Sequence, residues 1–161
     1  MEQLLKYAWI LLIAVTAFNV FQLKRRFKKH IEKAPEKEAG YNLIIRNYLI
    51  YGTIPWVIVA IGCLSGQTKT IFDYFEPAKL NPFVLLFHFS IVVIWILIIR
   101  FIYFKDGAGF LENYPGLIKI NAPGHYDEKL SKNNIKIFTA LALTGGIIAM
   151  ILMWTNTIPH P

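Results

Sequence analysis

Four apolar blocks, each close to twenty residues long, constrain this chain more than anything else in it. They cover about 4–23, 43–64, 83–104 and 135–154 of the 161 residues. A helix needs roughly 20 residues, at about 1.5 Å each, to cross a hydrocarbon core of about 30 Å. Backbone groups left unpaired in lipid are costly, so each block is expected to be helical; a barrel would need alternating segments of about ten residues, and none is present. Composition agrees: 55% of residues are apolar and 17% charged, against about 45–50% and about 25% in soluble domains. The expected fold is a single all-α domain, an integral membrane bundle of four transmembrane helices.

Local chemistry marks several ends. Asn81 before Pro82 supplies an N-cap side chain and a first-turn residue with no amide hydrogen to leave unpaired, and Asn133 or Asn134 can cap the fourth helix. Pro55, three residues after Gly52, predicts a kink near Thr53. Phe21 to Lys33 reads as a helical continuation of the first span. Thr70 to Glu76 reads as a short interfacial helix ended by Pro77, with Phe72, Tyr74 and Phe75 as aromatic anchors. The third connection, about thirty residues, is too long for a bare loop and should hold structure of its own, with breaks at Pro115-Gly116 and Pro123-Gly124. The first block lacks the basic leader of a signal peptide, because Glu2 offsets Lys6, and is read as a retained anchor.

Charge sets the expected orientation. Lys24, Arg25, Arg26, Lys28, Lys29, Lys33 and Lys37 follow the first block, and Lys105, Lys119, Lys129 and Lys132 the third, whereas the second connection holds only Lys69 and Lys79. By the positive-inside rule the first and third connections are cytoplasmic and both termini lie on the outer side. The net charge of +7 is thus mainly a topology signal, and no basic face on a soluble fold suggests nucleic acid. The run Lys24, Arg25, Arg26, Lys28, Lys29 sits where anionic headgroups begin; it either fixes orientation alone or also recognises an anionic lipid surface.

Candidate chemistry is sparse. Cys63 is the sole cysteine, so no internal disulfide or Cys-rich metal site is possible, and it reads as a small core residue. His88 lies inside the third block with no histidine in another block, so a packing histidine fits better than a haem ligand. His125-Tyr126-Asp127-Glu128 lacks the spacing of a zinc helix and reads as a solvated turn. No Asp or Glu falls inside a block, which argues against a proton- or sodium-coupled carrier. No phosphate loop, nucleophile elbow or cofactor motif occurs, so no cofactor is expected and an enzyme is not positively indicated.

The most informative polar set lies toward the basic end. Thr16, Asn19 and Gln22 fall near one face of the first helix, Arg46 and Asn47 lie about four residues into the second block, and Arg100 about five residues before Lys105. At about 1.5 Å per residue these share a depth roughly 6 to 8 Å inside the boundary. Arg46 and Arg100, with Asn19 and Asn47, are therefore the candidate anion or lipid-headgroup site; the alternative is that each arginine snorkels to the headgroups independently.

Thr53-Ile54-Pro55-Trp56, Ala60-Ile61-Gly62-Cys63, Asn81-Pro82-Phe83-Val84-Leu85, Trp95, Tyr103-Phe104, Tyr114-Pro115-Gly116-Leu117, Gly145-Gly146 and Met153-Trp154, in that order, resemble a family of small uncharacterised bacterial membrane proteins. The resemblance covers about two thirds of the chain, from the second block to the fourth, and departs at Lys105-Asp106-Gly107-Ala108-Gly109, where two adjacent glycines are expected. It implies four helices in a bacterial inner membrane, with no established activity and no catalytic residue to transfer. Two functions are expected: a non-catalytic accessory or lipid-interacting protein, with a protein partner or second copy possible, or a small membrane enzyme or transferase of the glutathione-dependent four-helix type. The second is weakened because those enzymes space an Arg and an Asn along the second helix with a following Glu, whereas Arg46 and Asn47 are adjacent and no Glu follows.

Overall fold

The computed structural model describes residues 5–117, 120–122, 125–127 and 130–155. Its four long helices are α1 (Ala8–Lys33), α2 (Glu38–Leu64), α3 (Pro82–Ile99) and α5 (Lys132–Thr155), with a short α4 (Gly107–Glu112) in the third connection. All four long helices have the length and apolarity to cross a membrane, α3 when counted with its extension to Phe104. The only strands among the described residues are β1 (Ile120–Ala122) and β2 (His125–Asp127), paired antiparallel with Asn121 opposite Tyr126. His125–Asp127 is therefore a strand and not the expected turn, and the break expected at Pro123-Gly124 lies outside the described residues.

Helix ends follow the side chains available to cap them. The Asn81 side chain accepts from the Phe83 amide at 2.9 Å with Pro82 at the first helical position, as read from sequence. The start of α5 differs: Ser131 Oγ accepts from the Asn134 amide at 3.3 Å, so the cap is Ser131 and both asparagines sit inside the first turn. α1 continues to Lys33, and only the turn Pro35–Lys37 separates it from α2, which begins five residues before the apolar block does. The expected interfacial helix is a 3-10 turn, Ile71–Phe75, closed by a capping box in which Thr70 and Asp73 exchange bonds with each other's backbone. Pro55 lies within α2, and Thr53 Oγ1 donates to the Leu49 carbonyl at 2.6 Å.

α1 and α2 pack antiparallel through Val20, Leu23, Phe27, Tyr41, Ile44 and Ile45, and α2 and α3 through Val59, Cys63, Val84 and Phe87 beneath Tyr74. α5 is held differently. It rests on α4, on the Pro77–Lys79 turn and on Arg100–Phe104, a π-helical turn that continues α3, rather than along the shaft of α3. Gly146 lies against α3, since a Cβ there would fall 2.7 Å from the Trp95 ring, whereas Gly145 faces open space.

Candidate functional site

The first and third connections meet at one end of the bundle, here termed the basic end. Tyr41, 1% exposed at the start of α2, stacks at a tilt on Phe27 (centroids 4.6 Å apart) and edge-on against Tyr114 (5.0 Å), which in turn packs on Phe110 (4.5 Å). Such pairs prefer tilted or edge-to-face geometry and are worth about 0.5–1.5 kcal/mol each beyond their burial. Only glycine fits at position 40, because a Cβ there would overlap the Tyr114 ring. Polar contacts complete the seat. Tyr41 donates to the Pro115 carbonyl (3.3 Å), Arg26 Nη1 to that of Leu117 (3.3 Å) and Lys37 Nζ to that of Asn113 (3.1 Å). The third connection is thus docked on α1 and α2 by aromatic packing and by basic side chains that satisfy its carbonyls.

Beside this seat an apolar crevice of about 670 Å³ opens between α3, the connection and α5. Trp95 and Ile98 form one wall, Tyr114 and Leu117 the floor, and Ile135, Thr139 and Leu143 the other wall. Thr139 Oγ1 donates to the Ile135 carbonyl at 2.8 Å, so its hydroxyl is already satisfied and the wall is chemically apolar. The volume falls within the roughly 300–1,000 Å³ of ligand sites. Fixed contacts hold the crevice open at both ends of α5. Tyr103 donates to the Lys136 carbonyl at 2.7 Å and Lys132 pairs with Asp106 at 2.5 Å, while at the far end His88 meets Trp154 edge-on with centroids 5.8 Å apart. Lys132 holds the Asp106 carboxyl below its ordinary pKa, by hydrogen bond and by charge.

The four residues read as one anion site are placed as follows. Arg46, Arg100 and Asn19 are exposed and Asn47 half-buried. Among the described residues neither guanidinium has a hydrogen bond or ion pair to the protein. On α2 the packed positions Tyr41, Ile44, Ile45 and Val59 define one face, and Arg46 lies about 100° beyond Ile45. On the α3 extension Arg100 stands two residues from buried Ile102 and so on roughly the opposite side. Each arginine faces outward, and among the described residues no protein walls enclose the two together. Arg46 also stands eight residues into its helix, not four, because α2 begins at Glu38. Of the basic run, Lys24, Arg25, Lys28 and Lys29 are exposed and Arg26 half-buried.

At the other end a buried polar set surrounds His88, which is 4% exposed. Its Nε2 lies 2.9 Å from the Tyr74 carbonyl, an acceptor only, so Nε2–H donates, and Nδ1 has no hydrogen-bond partner among the described residues. Thr68 Oγ1 donates to Cys63 Sγ at 3.4 Å and lies 3.4 Å from the Tyr74 hydroxyl, whose pKa burial pushes up. Gly62 is required beside it, since a Cβ would overlap that hydroxyl. Cys63 is the buried core residue expected, and no group of three metal-ligating side chains exists among the described residues. Sequence reasoning missed the Tyr41–Tyr114 seat and the crevice; Gly40-Tyr41 and Tyr114-Pro115 were visible, but nothing in their spacing says that they meet. Comparison with family models, curated proteins and solved structures gives no match for this chain.

Proposed function

We propose that the chain is a multi-pass protein of the bacterial inner membrane, with both termini on the outer side, whose role is non-catalytic: an accessory or lipid-interacting protein. One observation carries the membrane placement: none of the most apolar 18-residue stretch of α5 is buried. Ile137, Leu141, Ile148, Ile151 and Leu152 are all more than half exposed or nearly so, far more apolar surface than a water-facing monomer carries, and a bilayer is the medium that covers it. The clustering of Lys24, Arg25, Arg26, Lys28 and Lys29 at one end supports the orientation and adds attraction to anionic lipid, worth about 1 kcal/mol for each charge near the surface. On this reading Arg46 and Arg100 each reach outward to a phosphate of the surrounding leaflet, with Asn19 and Asn47 near the same depth. The likeness to small four-helix bacterial membrane proteins supports the same placement.

Two measurements test it. Lys33→Cys should stay unreactive to an impermeant maleimide in intact cells and react after permeabilisation; reaction in intact cells would reverse the orientation. Purification in mild detergent should retain anionic phospholipid or a stoichiometric protein, whereas a bound thiol cofactor would favour the enzyme reading.

A further inference from the structure

The geometry points to the α3–α5 crevice as a binding site for one acyl chain of an anionic phospholipid, its phosphate read by Arg26 and Lys136 at the basic mouth. The assignment rests on the lipid-interacting reading above and names the site, which that reading leaves open. Three observations converge. From Ile135 to Leu143 the α5 wall rises about 12 Å at 1.5 Å per residue, close to the roughly 15 Å of one leaflet's hydrocarbon. The lining is mostly apolar, with the Thr139 hydroxyl already bonded and only the Trp95 indole and Tyr114 hydroxyl as other side-chain polar groups, so the crevice suits a hydrocarbon chain.

None of the lining residues is charged, and basic residues stand next to Leu117 and Ile135. Arg26 spends one donor on the carbonyl of Leu117, a lining residue, and keeps the rest of its fork for a phosphate. Lys136 follows the lining residue Ile135 by one position, and the Lys132 charge beside it is matched by Asp106. Among the described residues beside the mouth, Arg26, Lys132 and Lys136 outnumber Asp106 and Glu112, and Asp106 feels the charge of Lys136 as well as that of Lys132, a balance that favours an anionic headgroup over a zwitterionic one. Because α5 is pinned at both ends, by Lys132 and Tyr103 at the mouth and by His88 against Trp154 at the far end, the gap is set by the fold.

The full chain, reconstituted in nanodiscs of phosphatidylcholine doped with phosphatidylglycerol and released into mild detergent, can be weighed by native mass spectrometry. One phosphatidylglycerol should remain per chain. Ala142→Trp, which fills the crevice, should abolish its retention, while Ile148→Trp, equal in bulk but on the far face of α5, should not. Arg26→Gln and Lys136→Gln should each reduce the preference for phosphatidylglycerol over phosphatidylcholine by about fivefold, the effect of one interfacial charge. Trp95 fluorescence, in a background of Trp9→Phe, Trp56→Phe and Trp154→Phe, should be quenched by brominated phosphatidylglycerol when Ala142 is intact and protected when Ala142→Phe, a filling variant with no added indole, closes the crevice. Wild-type retention that survives both crevice-filling variants overturns the site and leaves the broader reading standing. Absence of any retained lipid together with an aqueous, membrane-free protein would overturn both. A crosslink from Ala142→Cys to a second copy, or a protein seated there that excludes lipid, would also overturn the acyl-chain assignment.

Discussion

Replacing Gly40 by Ala isolates the contact that docks the third connection. In the wild-type chain the new methyl would overlap the Tyr114 ring, which is held between Tyr41 at 5.0 Å and Phe110 at 4.5 Å and lies under Lys37 Nζ at 5.9 Å. Two aromatic pairs at about 0.5–1.5 kcal/mol and one exposed cation–π contact at about 0.5–1 kcal/mol bound what is lost if the ring leaves, roughly 1.5–4 kcal/mol. Against this, Ala in place of Gly in a helix gains up to about 1 kcal/mol. Net destabilisation of roughly 0.5–3 kcal/mol is expected, appearing as faster amide exchange across residues 107–117 and a lower Tm in detergent. In a Tyr114→Ala background the clash is gone, and Gly40→Ala should become neutral or stabilising. The double-mutant cycle thus requires a change of sign. Equal cost in both backgrounds, or unchanged exchange in the connection, would refute the docking argument.

Leu80, 66% exposed with φ of 54°, occupies the left-handed region before the Asn81 cap, so Leu80→Gly should raise thermal stability by about 1 kcal/mol; a fall in Tm would count against strain there. His88→Leu leaves the Tyr74 carbonyl without its donor and should cost about 1–3 kcal/mol, while His88→Gln should recover part of it in the same melting experiment. Because burial raises the Tyr74 pKa above its ordinary 10.0, the unfolded chain loses that proton first; its contribution to stability is present below pH 10 and fades as pH rises through the folded value, a dependence that Tyr74→Phe should flatten. Asp106 behaves oppositely. Its lowered pKa gives a contribution present above its ordinary 3.8 and lost as pH falls through the folded value, and Lys132→Gln should remove that dependence in acid titrations followed by exchange of α4 amides.

The helices were legible because their signal is long and cumulative: twenty apolar residues specify a helix whatever their neighbours, and Asn81-Pro82 specifies an end through groups adjacent in sequence. Boundaries were less legible where polar residues continue a helix. α2 begins at Glu38, five residues ahead of its apolar block, since helix hydrogen bonds do not require apolar side chains once α1 and Tyr114 pack beside it. Asn133 and Asn134 looked like caps by residue type, but Ser131 offers the same chemistry two residues earlier. The standing-off of α5 was invisible, because it depends on contacts between Tyr103 and Lys136 or His88 and Trp154 that no local pattern encodes.

For the site, position along each apolar block was readable and azimuth was not. Counting at about 1.5 Å per residue from the start of the second apolar block at Leu43, and back from Lys105, is what puts Arg46 and Arg100 near one level in the sequence. Whether they meet depends on which face of each helix is packed, and this follows from α1 binding α2 through Tyr41, Ile44 and Ile45 and from Ile102 turning inward in the π-helical turn. A π turn advances fewer degrees per residue than an α turn, so a phase counted from Val84 along a regular helix cannot be carried through Arg100–Phe104 without error. Under the proposed function, the missing acid that suggested a shared anion has a simpler resolution: outward arginines would each find a lipid phosphate on their own. That makes a quantitative demand. If the two act independently, the effects on anionic-lipid affinity of Arg46→Gln and Arg100→Gln should add in free energy, whereas a shared anion would leave a coupling of about 0.5 kcal/mol or more.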